Sequence, residues 1–197
     1  MIIYLHGFNS GFGEKAETLI KEFPDQEVVC FDFKNTPIDD FKRLENTVEH
    51  IDEPIYIVGT SMGGFYGLLI YNYLCELGKD VKAFLINPSI PPSKNIEKQI
   101  GKVLTNYKTG EKFIPDLSFV NELKFLEQNY LNKALGKINE INFYISSNDE
   151  VIDHDPIINL LYKSQKPYYI EYSKQNHRHQ DISGVIRDLK EFVNTNY

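Results

Sequence analysis

The sequence predicts an α/β fold: a doubly wound, mainly parallel sheet of about six strands with helices on both faces. Three observations carry that reading. Short runs that are apolar at successive positions recur along the chain, amphipathic stretches separate them, and one strand-to-helix junction reads Gly59-Thr60-Ser61-Met62-Gly63. Strands covered on both faces need apolar side chains at successive rather than alternate positions, as in a parallel sheet between helical layers. A repeated β-α-β order winds such a sheet.

The expected strands are IIYL (2–5), EVVCFDF (27–33), IYIV (55–58), KAFLIN (82–87), INFYIS (141–146) and PYYIEY (167–172). Between them, residues 38–51 place Phe41, Leu44, Val48 and Ile51 on one helical stripe, with Asp39 and Asp40 at its positive N-terminal end. Residues 155–164 open with Asp155 as the expected N-cap and Pro156 in the first turn. Residues 181–193 repeat the helical spacing through Ile182, Val185, Ile186, Leu189 and Val193. One interval breaks the alternation. Residues 88–135 begin with the proline-containing NPSIPP region and carry an expected helix over 118–135. A connection of that length is usually a functional cover, so it is read as a short helical, cap-like insertion over the C-terminal edge of the sheet. Its aromatics (Tyr107, Phe113, Phe119, Phe125, Tyr130) are expected to supply apolar pocket lining, a share of them packing the insertion onto the core.

At 197 residues, 42% hydrophobic and 25% charged, the chain has the size and composition of one domain spanning residues 1–197. A formal charge of −7 opposes affinity for nucleic-acid backbones or anionic lipid. No apolar run reaches the roughly 18 residues of a membrane span, and MIIYL opens the sequence without a basic leader. A cytoplasmic location is expected. Cys30 and Cys75 lack metal or redox spacing and read as small buried hydrophobes.

The Gly59–Gly63 stretch carries the chemistry. A buried strand ends, Gly-x-Ser-x-Gly follows, and an apolar helix begins at once. Reversing a strand into a helix this tightly forces the central residue into a strained conformation, and the flanking glycines remove side chains that would collide. Ser61 is thereby the candidate nucleophile. A serine hydroxyl needs a base, and the base an orienting carboxylate. In chain order and at strand ends come Asp149 and, in the loop after the last expected strand, His177 and His179. Asp153 is the runner-up acid, and spacing alone separates the two histidines poorly. His154 lies between Asp153 and Asp155 with no set of metal ligands around it, and His6 reads as an anchor for its own loop.

The segments YLHGFNS, GTSMGG, INPSI, NYKTGEKF, SNDEVID and QNH together resemble the small bacterial esterases of the YqiA/YcfP type, within the α/β-hydrolase superfamily. The resemblance runs in register along almost the whole chain. It implies a compact α/β-hydrolase fold with Ser61 as nucleophile, Asp149 as acid and His177, after Asn176, as base. The chain departs from the pattern at Asn148, where many relatives have glycine, and at His179, where an aromatic is common.

The loop HGFNSGFG (6–13) then finds its place. Its glycine spacing fits neither a dinucleotide fingerprint nor a P-loop. An oxyanion formed at the substrate carbonyl needs fixed N–H donors. One is the amide of Met62, which follows the nucleophile; the resemblance makes Phe8 the second. The expected function is a serine esterase (a carboxylic ester hydrolase) cleaving small esters or thioesters through an acyl-enzyme, as a monomer or homodimer, with no metal and no organic cofactor. A non-catalytic ligand-binding module on the same scaffold, and an amidase or peptidase with the same triad, are the alternatives.

Overall fold

The structure is a computed structural model and describes residues 1–106, 108–136, 141–164 and 168–195. Six strands form one sheet: β1 (Ile2–Leu5), β2 (Val28–Phe31), β3 (Ile55–Thr60), β4 (Val81–Ile86), β7 (Ile141–Ser146) and β8 (Tyr169–Ser173). Their spatial order is β2-β1-β3-β4-β7-β8 and every neighbouring pair is parallel. The start of the last expected strand at Pro167, and Tyr107, lie outside the described residues.

Successive apolar positions are explained by two cores. Ile3, Leu5, Ile55, Ile57, Leu85 and Phe143 face one; Ile2, Tyr4, Tyr56, Val58, Phe84 and Tyr144 face the other. On the first face lie α2 (Pro37–Val48), α3 (Met62–Glu76) and α7 (Asp155–Ser164); on the second, α1 (Glu14–Glu22) and α8 (Ser183–Thr195). Helix α3 packs on β3 and β4 and has α2 and the later insertion against its other sides, which is why it is apolar almost all round. The sheet margins differ from expectation. Strands β2 and β8 are edges and only partly covered, so Cys30 is half-buried rather than buried, as is Cys75 on α3.

Between β4 and β7 the chain forms α4 (Ser93–Glu97), a short hairpin of β5 (Leu104–Thr105) and β6 (Lys112–Phe113), and α5 (Leu117–Leu126). A π-helical turn (Glu127–Leu131) and α6 (Asn132–Leu135) follow. The single helix expected over 118–135 is thus interrupted. At the interruption the Glu127 carboxylate accepts the N–H and hydroxyl of Ser93, 2.8 Å each, so the π turn opens where α4 is tied on. Helix α5 packs on α2 and α6 on α3, placing Phe119, Val120, Leu123 and Leu126 in the first core. Tyr130 packs edge-on against Phe41. The hairpin instead reaches the C-terminal edge of the sheet, where Asn106 donates through Nδ2 to the Ser10 carbonyl at 2.9 Å.

The turn from β3 to α3 is set by close packing. A Cβ on Gly63 would stand 2.1 Å from the Leu5 carbonyl oxygen and 2.5 Å from that of His6; one on Gly59 would stand 2.5 Å from the Gly63 carbonyl oxygen. Only hydrogen fits at either place, so the start of α3 lies directly against the end of β1.

A buried polar cluster fastens the ends of β4, β7 and β8. Asn87 (φ 43°) accepts the Ser146 N–H at 2.7 Å and donates to the Ser146 hydroxyl at 2.9 Å and the His177 carbonyl at 3.1 Å. The Ser146 hydroxyl also meets His179 Nδ1 at 2.8 Å. His179 turns inward because its backbone is left-handed (φ 44°), a conformation in which histidine is enriched. Burial, reinforced by the nearby charge of Lys15, pushes its imidazole down to about 4.

Two expectations follow. Gly63→Ala should destabilise the fold by about 3 kcal/mol or more, since neither strand carbonyl can withdraw; urea denaturation measures it. For His179 the folded value lies below the unfolded value of about 6.5, so the stabilisation is present above pH 6.5 and lost as pH falls toward 4. Between pH 7 and pH 4.5 the wild type should lose about 2 kcal/mol more than His179→Phe, and equal losses would contradict the buried neutral ring.

Candidate active site

Ser61 stands at the junction of β3 and α3 with φ 55° and ψ −117°, a strained backbone state for a residue with a side chain. The strain is held by four backbone hydrogen bonds. Its N–H donates to the Ile86 carbonyl (2.9 Å), and its carbonyl accepts from Gly64 (2.9 Å), Phe65 (3.3 Å) and Ser89 (2.9 Å). Neighbouring strand β4 and the loop after it therefore grip the turn from one side. From the other side comes the loop after β1: a Cβ on Gly7 would lie 3.3 Å from Ser61 Cβ and 3.8 Å from Oγ. The first turn of α3 leaves amides without intrahelical acceptors, Met62 among them. The structure thus brings the HGFNSGFG loop, which includes Phe8, against the Ser61 turn.

His177 Nε2 lies 3.1 Å from Ser61 Oγ, and its Nδ1 lies 2.8 and 3.0 Å from the two Asp149 oxygens. A carboxylate only accepts, so Nδ1 carries the hydrogen and Nε2 offers its lone pair to the serine hydroxyl. The ring is held from three directions: Glu150 accepts the His177 N–H at 3.0 Å, Asn87 donates to its carbonyl, and Asp149 orients the imidazole. His179 is two residues away but buried against Ser146 on the inner side of the turn. Ser61, Asp149 and His177 are brought together; His179 and Asp153 are not part of that chain of contacts. Asp153 instead accepts the Asp155 N–H at 3.0 Å.

Asp149 follows β7 and its side chain is almost wholly buried (2% exposed). Oδ1 accepts the amides of Val151 (2.9 Å) and Ile152 (2.8 Å), and Oδ2 accepts His154 Nε2 at 2.9 Å. Burial alone would raise this carboxyl. The hydrogen bonds from His154, His177 and the two amides outweigh it and hold the group well below the usual carboxylate range. Asn148 is not left-handed, as a substitute for glycine would be; its Nδ2 donates to the Lys174 carbonyl at 2.8 Å, tying the acid loop to the end of β8.

His154 is the contact that sequence reasoning missed. It comes five residues after Asp149, at the start of α7. Asp155 lies inside the first turn instead of capping it, and the His154 carbonyl accepts the Ile158 N–H. The amide turn at Val151 and Ile152 winds the chain back onto the carboxylate and delivers the buried ring. The spacing from acid to helix start was the available signal. His6 packs edge-on against Phe33, and its Nδ1 lies 2.8 Å from the Gly7 carbonyl, as an anchor of the loop would. Burial lowers its imidazole.

Two clefts meet at the Gly7–Phe8 loop. One of about 350 Å³ contains Ser61 and His177. The other, about 710 Å³, passes Met62 and Phe8 toward Phe33, Tyr66 and Phe119. Of the insertion aromatics, Phe119 lines this larger cleft, Phe113 packs on Phe8 and Phe119, and Phe125 is exposed. Among the described residues no group of three or more His, Cys, Asp or Glu could hold a metal, and no helix is long and apolar enough to cross a membrane.

The architecture is that of the α/β-hydrolase fold. Over 98% of its length this chain resembles Est1E from Butyrivibrio proteoclasticus, covering 86% of that chain (TM-score 0.65, 16% identity). Over its whole length it resembles mouse alpha/beta hydrolase domain-containing protein 10, covering 90% of it (TM-score 0.65, 16% identity). The Paleococcus ferrophilus monoacylglycerol lipase is similar over the whole length and 94% of that chain (TM-score 0.65, 12% identity). At these identities the likeness is one of fold. In sequence, the UPF0227 protein YcfP of Salmonella paratyphi B is 27% identical over 202 residues, 98% of either chain. The family described as Uncharacterised protein family (UPF0227) matches residues 1–194, and the chain belongs to that family.

Proposed function

We propose that this protein is a serine esterase that hydrolyses small carboxylic esters or thioesters through an acyl-enzyme. The observation that carries the reading is the unbroken chain from Ser61 Oγ through the His177 ring to the Asp149 carboxylate, at 3.1 and 2.8 Å. Esterases and lipases among the proteins of similar fold are consistent with it.

Each residue has a task that follows from its contacts. His177 Nε2 takes the Ser61 hydroxyl proton as Oγ attacks the substrate carbonyl, forming the Oγ–C bond and a tetrahedral oxyanion. The amides of Met62 and Phe8 receive that oxyanion, a donor pair in which each member contributes about 3 to 4 kcal/mol to the barrier reduction. Collapse breaks the bond to the alcohol or thiol, which leaves with the proton from Nε2. Water then gives its proton to Nε2 and its oxygen to the acyl carbon, and Ser61 is released. Asp149, kept ionised by four donors, stabilises the imidazolium without taking its proton. These steps consume only water. The single-domain organisation, with residues 88–135 as a cap-like insertion, and a cytoplasmic setting belong to the same proposal.

Ser61→Ala should abolish labelling by a fluorophosphonate probe and lower kcat for p-nitrophenyl acetate about ten-thousand-fold or more, as should His177→Ala. Retained labelling in Ser61→Ala would remove the nucleophile. His154 acts through Asp149 as a positioning residue. His154→Phe should lower kcat about three- to tenfold with KM little changed and cost about 1–3 kcal/mol of stability. His154→Gln, which keeps an N–H donor, should recover part of the kcat loss; identical kcat in all three proteins would show that the contact is idle.

A further inference from the structure

The smaller cleft, the one holding Ser61 and His177, is lined by Lys15, Lys108 and Arg178. They come from three separate elements: the first turn of α1, the hairpin loop of the insertion, and the residue after His177. Glu14 is the one carboxylate among the described lining residues. In a chain with formal charge −7, this is a local reversal of sign beside the reacting atoms.

The convergence is built into the packing. Lys15 Nζ donates to the Arg178 carbonyl at 2.6 Å, joining α1 to the His177 loop. The hairpin is fastened to the opening loop by Asn106 on the Ser10 carbonyl. From there the Lys108 side chain lies across Gly13, where a Cβ would stand 2.7 Å from its Cε and Nζ. Burial lowers the Lys15 ammonium, and the charges of Arg178 and Lys108 lower it further against the opposing effect of Glu14. Three cations facing one carboxylate, Glu14, leave an excess of positive charge that a bound anion offsets.

The chemistry fixes which part of a substrate meets them. The leaving oxygen or sulfur receives its proton from His177 Nε2, so the leaving group lies on the His177 side of the carbonyl. That side is the cationic cleft. The larger cleft, which Ser61 and His177 do not line, opens beyond Met62 and Phe8 and is left to the acyl chain; Lys108 stands where the two clefts meet, and Lys15 and Arg178 line only the smaller one. Building on the esterase reading, we infer that Lys15, Lys108 and Arg178 form a subsite for an anion, carboxylate or phosphate, carried on the leaving alcohol or thiol.

The test uses esters with one acyl group and different leaving groups: phenyl acetate (neutral), 4-acetoxybenzoate (carboxylate) and 4-acetoxyphenylphosphonate (standing in for phosphate). The quantity read is the ratio of kcat/KM for each anionic ester to that for phenyl acetate, in wild type, Lys108→Ala, Lys108→Glu and Arg178→Glu. The ratio should fall about three- to tenfold in Lys108→Ala and further in the charge reversals, and it should fall with added salt in the wild type. The anionic ester with the higher wild-type ratio identifies the preferred group. Ratios unchanged across the variants would overturn the subsite. Should the wild type cleave none of the three esters, the esterase reading fails on its own. Calorimetric titration with 4-hydroxybenzoate and 4-hydroxyphenylphosphonate then decides the subsite: binding by wild type that Lys108→Glu loses supports it, and absent or unaltered binding overturns it.

Discussion

The site rests on one steric constraint: α3 starts in contact with the last carbonyls of β1, because position 63 carries no side chain. That contact fixes the distance between two adjacent parallel strands' exits, one bearing the loop with Gly7 and Phe8, the other bearing Ser61. It also leaves the chain no room to relax the turn, so Ser61 keeps φ 55° while β4 and Ser89 hold its backbone on the opposite side. A strained residue persists only where its surroundings over-determine it. Here the surroundings are the ends of β1 and β4, the loop after β4 and the first turn of α3. The hydroxyl is therefore positioned by the sheet, and the loop after β8 has only to bring His177 to it.

How that loop is held shows the cost of burying polar groups turned to use. Asn87, Ser146 and His179 are all buried and satisfy one another across β4, β7 and the turn that follows β8. A buried donor left unpaired costs about 1–3 kcal/mol, so the cluster favours one arrangement of three strand ends over its neighbours. One donor of Asn87 reaches the His177 carbonyl, which makes the cluster a support for the residue that faces Ser61. The same logic governs Asp149, whose ionised form is matched by two amides and two imidazoles.

The sheet and Ser61 were legible because their signals are local. Successive apolar positions report burial on both faces, and Gly-x-Ser-x-Gly between strand and helix reports the tight turn wherever it occurs. Asp149 and His177 were legible at the coarser level of strand ends. Spacing could not choose between His177 and His179, and only the resemblance pointed to His177, because the choice depends on one left-handed residue turning one ring inward and leaving the other facing the serine. His154 was hidden for a related reason: its approach to Asp149 depends on an amide turn whose pitch has no sequence periodicity. The π turn at Glu127 and the partial cover of β2 and β8 were likewise set by partners distant in sequence, Ser93 and the sheet margins. At Asn148, where the resemblance expects glycine, the side chain has the role, through its bond to the Lys174 carbonyl.

The insertion between β4 and β7 joins these two levels. Its helices α5 and α6 carry apolar residues into the same core as α2 and α3, so their position is fixed by burial of the kind that stabilises the sheet itself. At about 25 cal/mol per Å² of apolar surface, such an anchor is far stronger than any single polar tether. The hairpin that precedes α5 inherits that anchoring at one end and adds the Asn106 contact to the opening loop at the other. The backbone of Lys108 on its turn is thus set at a defined place, with its exposed side chain beside Gly13. In this chain an apolar anchor and a short hairpin suffice to set positive charge at the mouth of an otherwise acidic protein's candidate active site.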